Sequence, residues 1–188
     1  MGELLNFDVG QHNEAQFLAT RSKGQELRAE LEDQVSRMPA DKVVIDFSGV
    51  QAMTISFADE FVGRFYTSLA SGDTTAPLVL LTGLNEDNLT TVSICLERRD
   101  LAAAVVVGQQ PVLVGAPDYL AETYQQAVSL GTFSALDLAG RLGLSAQNMN
   151  NRLKRLVDAA AIRRRRVSSG RGGKEFAYTA PAPCALPG

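Results

Sequence analysis

The stretch Phe133-Ser134-Ala135-Leu136-Asp137-Leu138-Ala139-Gly140-Arg141-Leu142-Gly143-Leu144-Ser145 decides how the second half of the chain folds. Ser134 stands where a helix N-cap belongs, Leu138 and Leu142 lie one turn apart on one face, and Gly143 closes the helix. Ser145 then caps a further helix that runs to about Ala160. Two short capped helices joined by Leu142-Gly143-Leu144-Ser145 have the sequence form of a helix-turn-helix. At 100° per residue, Met149, Arg152, Leu153, Leu156, Val157 and Ala160 share an arc of about 140° that must face a core, with Arg152 snorkelling. The opposite arc carries Gln147, Asn148, Asn151, Lys154, Arg155 and Asp158. Amides at the helix start suit base edges and the later cations suit phosphates.

The flanks extend this unit. Asp118 to Leu130 places Leu120, Tyr124, Ala127 and Val128 on one side, and Gly131 ends it. Downstream, Ile162 to Val167 and Lys174 to Thr179 read as two strands around a Gly-rich hairpin tip. Arg163-Arg164-Arg165-Arg166 lies in the first strand, so alternate guanidinium groups project to opposite faces. Arg163, Arg165, Lys174 and the tip residue Arg171 join Gln147, Asn148, Asn151, Lys154 and Arg155 as candidate DNA contacts. This reading requires the helix and the hairpin to form one continuous cationic surface.

Upstream of Gly115-Ala116-Pro117, a plausible joint, the pattern changes to strands alternating with helices. Leu4, Phe7 and Val9 sit in a short apolar-rich start, and strands are expected at 42–47, 78–81, 103–107 and 112–114. Helices are expected at 22–37, at 56–69 with Ser56 as N-cap, and at 85–98. Charge divides at the same joint: residues 1–117 hold 8 Lys and Arg against 16 Asp and Glu, while 118–188 hold 10 against 5. A net −8 front and a net +5 back hide inside an overall −3. Such a split suits two modules with different partners, the basic one a polyanion.

Two resemblances follow from these residues. The segment from Phe133 through Asn150-Asn151-Arg152-Leu153-Lys154-Arg155-Leu156-Val157 to the arginine strand resembles the winged-helix DNA-binding family, a three-helix bundle followed by a β-hairpin wing. Phe17-Leu18-Ala19-Thr20-Arg21-Ser22, Val43-Val44-Ile45-Asp46-Phe47-Ser48-Gly49-Val50 and Thr54-Ile55-Ser56-Phe57-Ala58-Asp59-Glu60-Phe61 resemble the STAS-like α/β domains related to anti-sigma factor antagonists. In that group a serine after such a strand is phosphorylated to switch binding to a kinase partner. Here Ile55 occupies the aligned position, leaving Thr54 and Ser56 as the regulatory candidates.

The expected organisation is an α/β STAS-like domain over 1–115, a winged helix-turn-helix over 118–181 and a disordered tail over 182–188. The expected partners are double-stranded DNA, a regulatory protein through the front domain, and a second copy in a homodimer. The alternative is a partner-switch regulator that binds only proteins; a small-ligand sensor is a third class. Asp46, Asp59 and Glu60 lack a paired base or nucleophile and no phosphate loop follows a strand, so catalysis is not expected. Asp59 and Glu60 read as charges favoured by a helix dipole. One histidine, His12, and two distant cysteines, Cys95 and Cys184, cannot build a metal site, and no cofactor is expected. No run approaches a membrane span and the N-terminus lacks a secretory signal, so a cytoplasmic location is expected.

Overall fold

Alternation within the apolar runs sets the architecture, because successive strand residues point to opposite faces. Val43, Ile45, Val79, Leu81, Ala103 and Val105 enter one buried cluster, whereas Val44, Leu80 and Ala104 enter another. One sheet therefore has two covered faces. The computed structural model describes residues 3–11, 16–168 and 174–182. His12, Arg171 and the tail beyond Ala182 lie outside the described residues, as does the side chain of Lys174.

In chain order, the first elements are β1 (Leu4–Asp8), β2 (Phe17–Leu18), α1 (Arg21–Arg37), β3 (Lys42–Asp46), β4 (Ala52–Met53) and α2 (Ile55–Ala58). A π-helical turn (Asp59–Gly63) leads into α3 (Arg64–Ser71), then β5 (Val79–Thr82), α4 (Glu86–Arg98), β6 (Ala103–Val107) and β7 (Gln110–Val114). The rest is α5 (Asp118–Leu130), β8 (Thr132–Ser134), α6 (Ala135–Leu142), α7 (Ala146–Asp158), β9 (Arg163–Ser168) and β10 (Lys174–Thr179). The main sheet has the order β1-β3-β5-β6-β7, with its first four strands parallel and β7 antiparallel. A second sheet has the order β8-β10-β9, and β2 pairs with β4 at the rim.

Helices α1 to α4 cover the first face. Phe61 is the hub of this layer, with the rings of Phe57, Phe47 and Phe7 at 5.7, 6.0 and 6.1 Å. Gly24 lets α1 approach closely, since a Cβ there would stand 2.8 Å from the Phe57 carbonyl oxygen. Leu120, Tyr124 and Ala127 of α5, with Met149, Leu153 and Leu156 of α7, belong to the cluster on the other face. The Val79 N–H also donates to the Ala160 carbonyl at 2.8 Å. The change from β7 to α5 near residue 115 thus marks a change of element type, while the sheet is shared by both halves of the chain.

Local expectations need three corrections. Thr54, not Ser56, caps the helix after β4: its Oγ1 accepts from the Phe57 N–H at 3.2 Å and donates to the Ala19 carbonyl at 2.7 Å. Extended backbone at Thr54 puts its hydroxyl ahead of the first turn, whereas Ser56 is already helical. The expected single helix from 56 to 69 contains the π turn instead. The helix from Ser145 stops at Asp158, because Ala160 turns into the left-handed region at φ 49°. The two-residue strands β2 and β4 are too short to leave a periodic signature.

Candidate nucleic-acid interface

The α6–turn–α7 unit is built from its caps. Ser134 and Asp137 form a reciprocal capping box: the Asp137 carboxylate accepts from the Ser134 N–H at 2.8 Å and hydroxyl at 2.7 Å, and the Asp137 N–H donates back at 3.2 Å. The backbone N–H of Ser134 is the largest of the effects holding the Asp137 carboxyl below its ordinary range. Gly143 adopts the left-handed conformation that ends α6, and the Ser145 hydroxyl accepts from the Asn148 N–H at 3.3 Å to start α7.

Met149, Leu153 and Leu156 are buried, so the opposite side of α7 looks outward. Gln147, Asn148, Asn151 and Lys154 are exposed on that side. Gln147 Nε2 donates to Asn151 Oδ1 at 3.2 Å, and Lys154 Nζ bonds Asp158 one turn on at 2.6 Å. Arg152, expected to snorkel, is fixed instead by α5. Its Nη1 donates to the Thr123 hydroxyl at 2.9 Å and the Tyr119 carbonyl at 3.2 Å, and its guanidinium lies over the Tyr119 ring.

Pairing of β9 with β10 sorts the four arginines. Arg164 and Arg166 oppose Tyr178 and Phe176, while Arg163 and Arg165 oppose Thr179 and Ala177. Directly opposed residues share a face, so the expected alternation is present. Arg164 stacks over the Phe176 ring at 4.7 Å. Arg165 and Arg166 are exposed and make no ion pair among the described residues.

Two expected contact residues are engaged elsewhere. Arg163 forms an ion pair with Asp41 of the front half, and Arg155 reaches Asp100 at 3.2 Å and the Tyr119 hydroxyl at 2.6 Å. Their side chains are only 26% and 37% exposed, against 92% for Asp100. The one continuous cationic surface expected from the sequence is therefore interrupted, because Arg155 and Arg163 are drawn against the acidic half. Lys154 stays exposed, as do Arg165 and Arg166 on opposite faces of β9, and the outer side of the first two turns of α7 carries amides. Arg171 and the Lys174 side chain lie outside the described residues.

On the front half, the Thr54 hydroxyl is committed to its cap and to Ala19, and Ser56 is half-buried in the first turn of α2. Asp59 and Glu60 are held by more than the helix dipole. Arg99 donates to both Asp59 oxygens at 2.7 and 2.9 Å, and Glu60 pairs with Arg64 at 3.1 Å and Arg21 at 3.5 Å. The hydrogen bond from Arg99 holds the Asp59 carboxyl below its usual range, against a smaller opposing effect of burial. Cys95 is buried, which pushes its thiol up. Sequence reasoning missed Arg152, Tyr119, Asp41 and Asp100, since only tertiary packing brings α5, the 98–102 turn and β3 beside α7 and β9. Among the described residues there is no group of three or more His, Cys, Asp or Glu side chains placed to hold a metal ion, and no helix is long and apolar enough to cross a membrane.

No curated protein and no solved structure matches the chain. A family model described as a STAS-like domain of unknown function (DUF4325) matches residues 23–89, from α1 into α4. That segment includes Thr54, Ser56 and the π turn, and its mixed α/β architecture agrees with the match. Residues 23–89 are thus similar to a STAS-like domain.

Proposed function

We propose that α5 to β10 form a winged helix-turn-helix module that binds duplex DNA, in a transcriptional regulator whose STAS-like part makes partner contacts or dimerises. The observation that carries this reading is the open outer side of α7, where Gln147, Asn148, Asn151 and Lys154 are exposed. The β9–β10 hairpin that follows three helices, with β8 from between the first two pairing on β10, supports the module. Exposed Arg165 and Arg166, which leave opposite faces of β9, offer one guanidinium on either side of the hairpin for phosphate contact. Binding of a duplex pool of random sequence to the purified chain tests the reading. Retention at low salt that falls steeply as salt rises is the expected result, and no retention at low salt contradicts it.

The STAS-like match favours a second reading, a partner-switch regulator acting through proteins alone. Its observation is the exposure of Phe17 on β2 and of Ile55 between Thr54 and Ser56. Phosphorylation at Ser56 fits this reading better than at Thr54, whose hydroxyl is already bonded twice. A chain free of nucleic acid that elutes early from heparin would favour this alternative. A homodimer belongs to the first reading, since paired modules read two half-sites, and a strictly monomeric mass in solution would remove it.

A further inference from the structure

Arg152 makes contacts that a merely solvated helix cation does not need. Thr123 is fully buried and its hydroxyl donates to the Tyr119 carbonyl at 2.7 Å, so the group that receives Arg152 Nη1 belongs to the framework of α5. The guanidinium carbon sits 4.8 Å from the Tyr119 ring centroid. With its head fixed in this way, Arg152 donates from Nε to Asn148 Oδ1 at 3.1 Å, one turn back on the exposed side of α7.

A guanidinium carries donors and no acceptor, so the Asn148 atom facing it must be the oxygen. Chemistry therefore fixes this amide, in contrast to the Gln147–Asn151 pair, where either amide end could face the other. The Asn148 NH2 is left pointing away from Arg152. We propose that Arg152 is the positioning residue of this surface: it holds Asn148 as a hydrogen-bond donor, so that the base pair Asn148 reads is chosen for acceptor atoms. In the major groove a guanine edge suits this best, since N7 and O6 are both acceptors, whereas the cytosine amino group does not. An adenine edge, which offers one acceptor and one donor, suits a fixed donor less well. This inference rests on the DNA-binding reading above.

Selection of bound duplexes from a random pool tests it, with the full chain as wild type, Asn148→Ala, Arg152→Met and Thr123→Val. Methionine keeps an apolar stem over Tyr119 without a donor, and valine removes only the anchoring hydroxyl. Melting temperatures identify any variant that fails to fold, and Thr123→Val keeps the test decisive if Arg152→Met does so. The wild type should enrich guanine at one position. Asn148→Ala and Arg152→Met should each lose that preference by about tenfold while other positions keep theirs, with a smaller loss for Thr123→Val. A purely structural Arg152 would weaken all sequences alike. The inference is overturned if Arg152→Met and Thr123→Val keep the guanine preference that Asn148→Ala loses, or if the Asn148 position selects another base. A wild type that retains no duplex at all overturns the DNA-binding reading and this inference with it, a result separable because the wild type is scored first.

Discussion

Asp59 illustrates how much a single residue's partner matters. Its carboxylate receives two hydrogen bonds from Arg99, and both side chains are about a quarter exposed. Because that donor depresses the folded-state value below the ordinary 3.8, the pair's contribution is fully present above that pH. It is lost as pH falls through the lower folded-state value. Asp59→Asn should therefore cost about 1 kcal/mol at pH 7, and the gap from wild type should close toward pH 3 in urea midpoints. An undiminished gap at pH 3 would assign the cost to packing. Gly63, the last residue of the π turn, lies close against the same pair: a Cβ there would lie 2.9 Å from Arg99 Nε and 3.1 Å from Asp59 Oδ1, so the two side chains would have to shift. Gly63→Ala should lower the melting temperature of the wild type and have a smaller effect in an Asp59→Asn background.

At the scale of elements, caps govern α6 and α7. Ser134→Ala removes one half of the capping box and should cost about 1 kcal/mol in chemical unfolding, whereas Ser56→Ala, which removes no cap, should cost less than Thr54→Ala. Equal costs at 54 and 56 would contradict the capping assignment. These helices were legible in the sequence because Ser134, Gly143 and Ser145 punctuate an apolar period of 3.6, and β3 and β5 because their β-branched and leucine runs are bounded by turns. The π turn was not legible: Phe57, Phe61, Phe65 and Leu69 keep a spacing of four through it, and the Arg99 that meets Asp59 and Gly63 lies 36 residues and more away in the chain. The open face of α7 was legible from angular position, which placed Gln147, Asn148, Asn151 and Lys154 outward. The engagement of Arg155 and Arg163 was not, since a helical wheel and a strand alternation say which way a side chain leaves but not what meets it.

At the scale of the molecule, the shared sheet ties the acidic and basic halves together. A fragment ending at residue 115 would expose Val44, Leu80, Ala104 and Leu113, now buried under α5 and its neighbours, so it should aggregate or bind a hydrophobic dye, while the full chain should unfold in one transition. A stable, dye-free monomer of the fragment would contradict this. The ion pairs of Arg163 with Asp41 and Arg155 with Asp100 also set two acidic side chains in competition with phosphates. Replacing both aspartates with asparagine should therefore raise duplex affinity by a few-fold at fixed salt, measured by anisotropy, and an unchanged affinity would show that those arginines stay out of reach of DNA. The salt dependence of duplex affinity for the full chain is the most direct test of the central claim. A log–log slope of about −3 or steeper, made shallower by about 0.9 in one of Arg165→Ala and Arg166→Ala, whose side chains leave opposite faces of β9, is the predicted result. A slope near zero, or one that neither substitution changes, would contradict it.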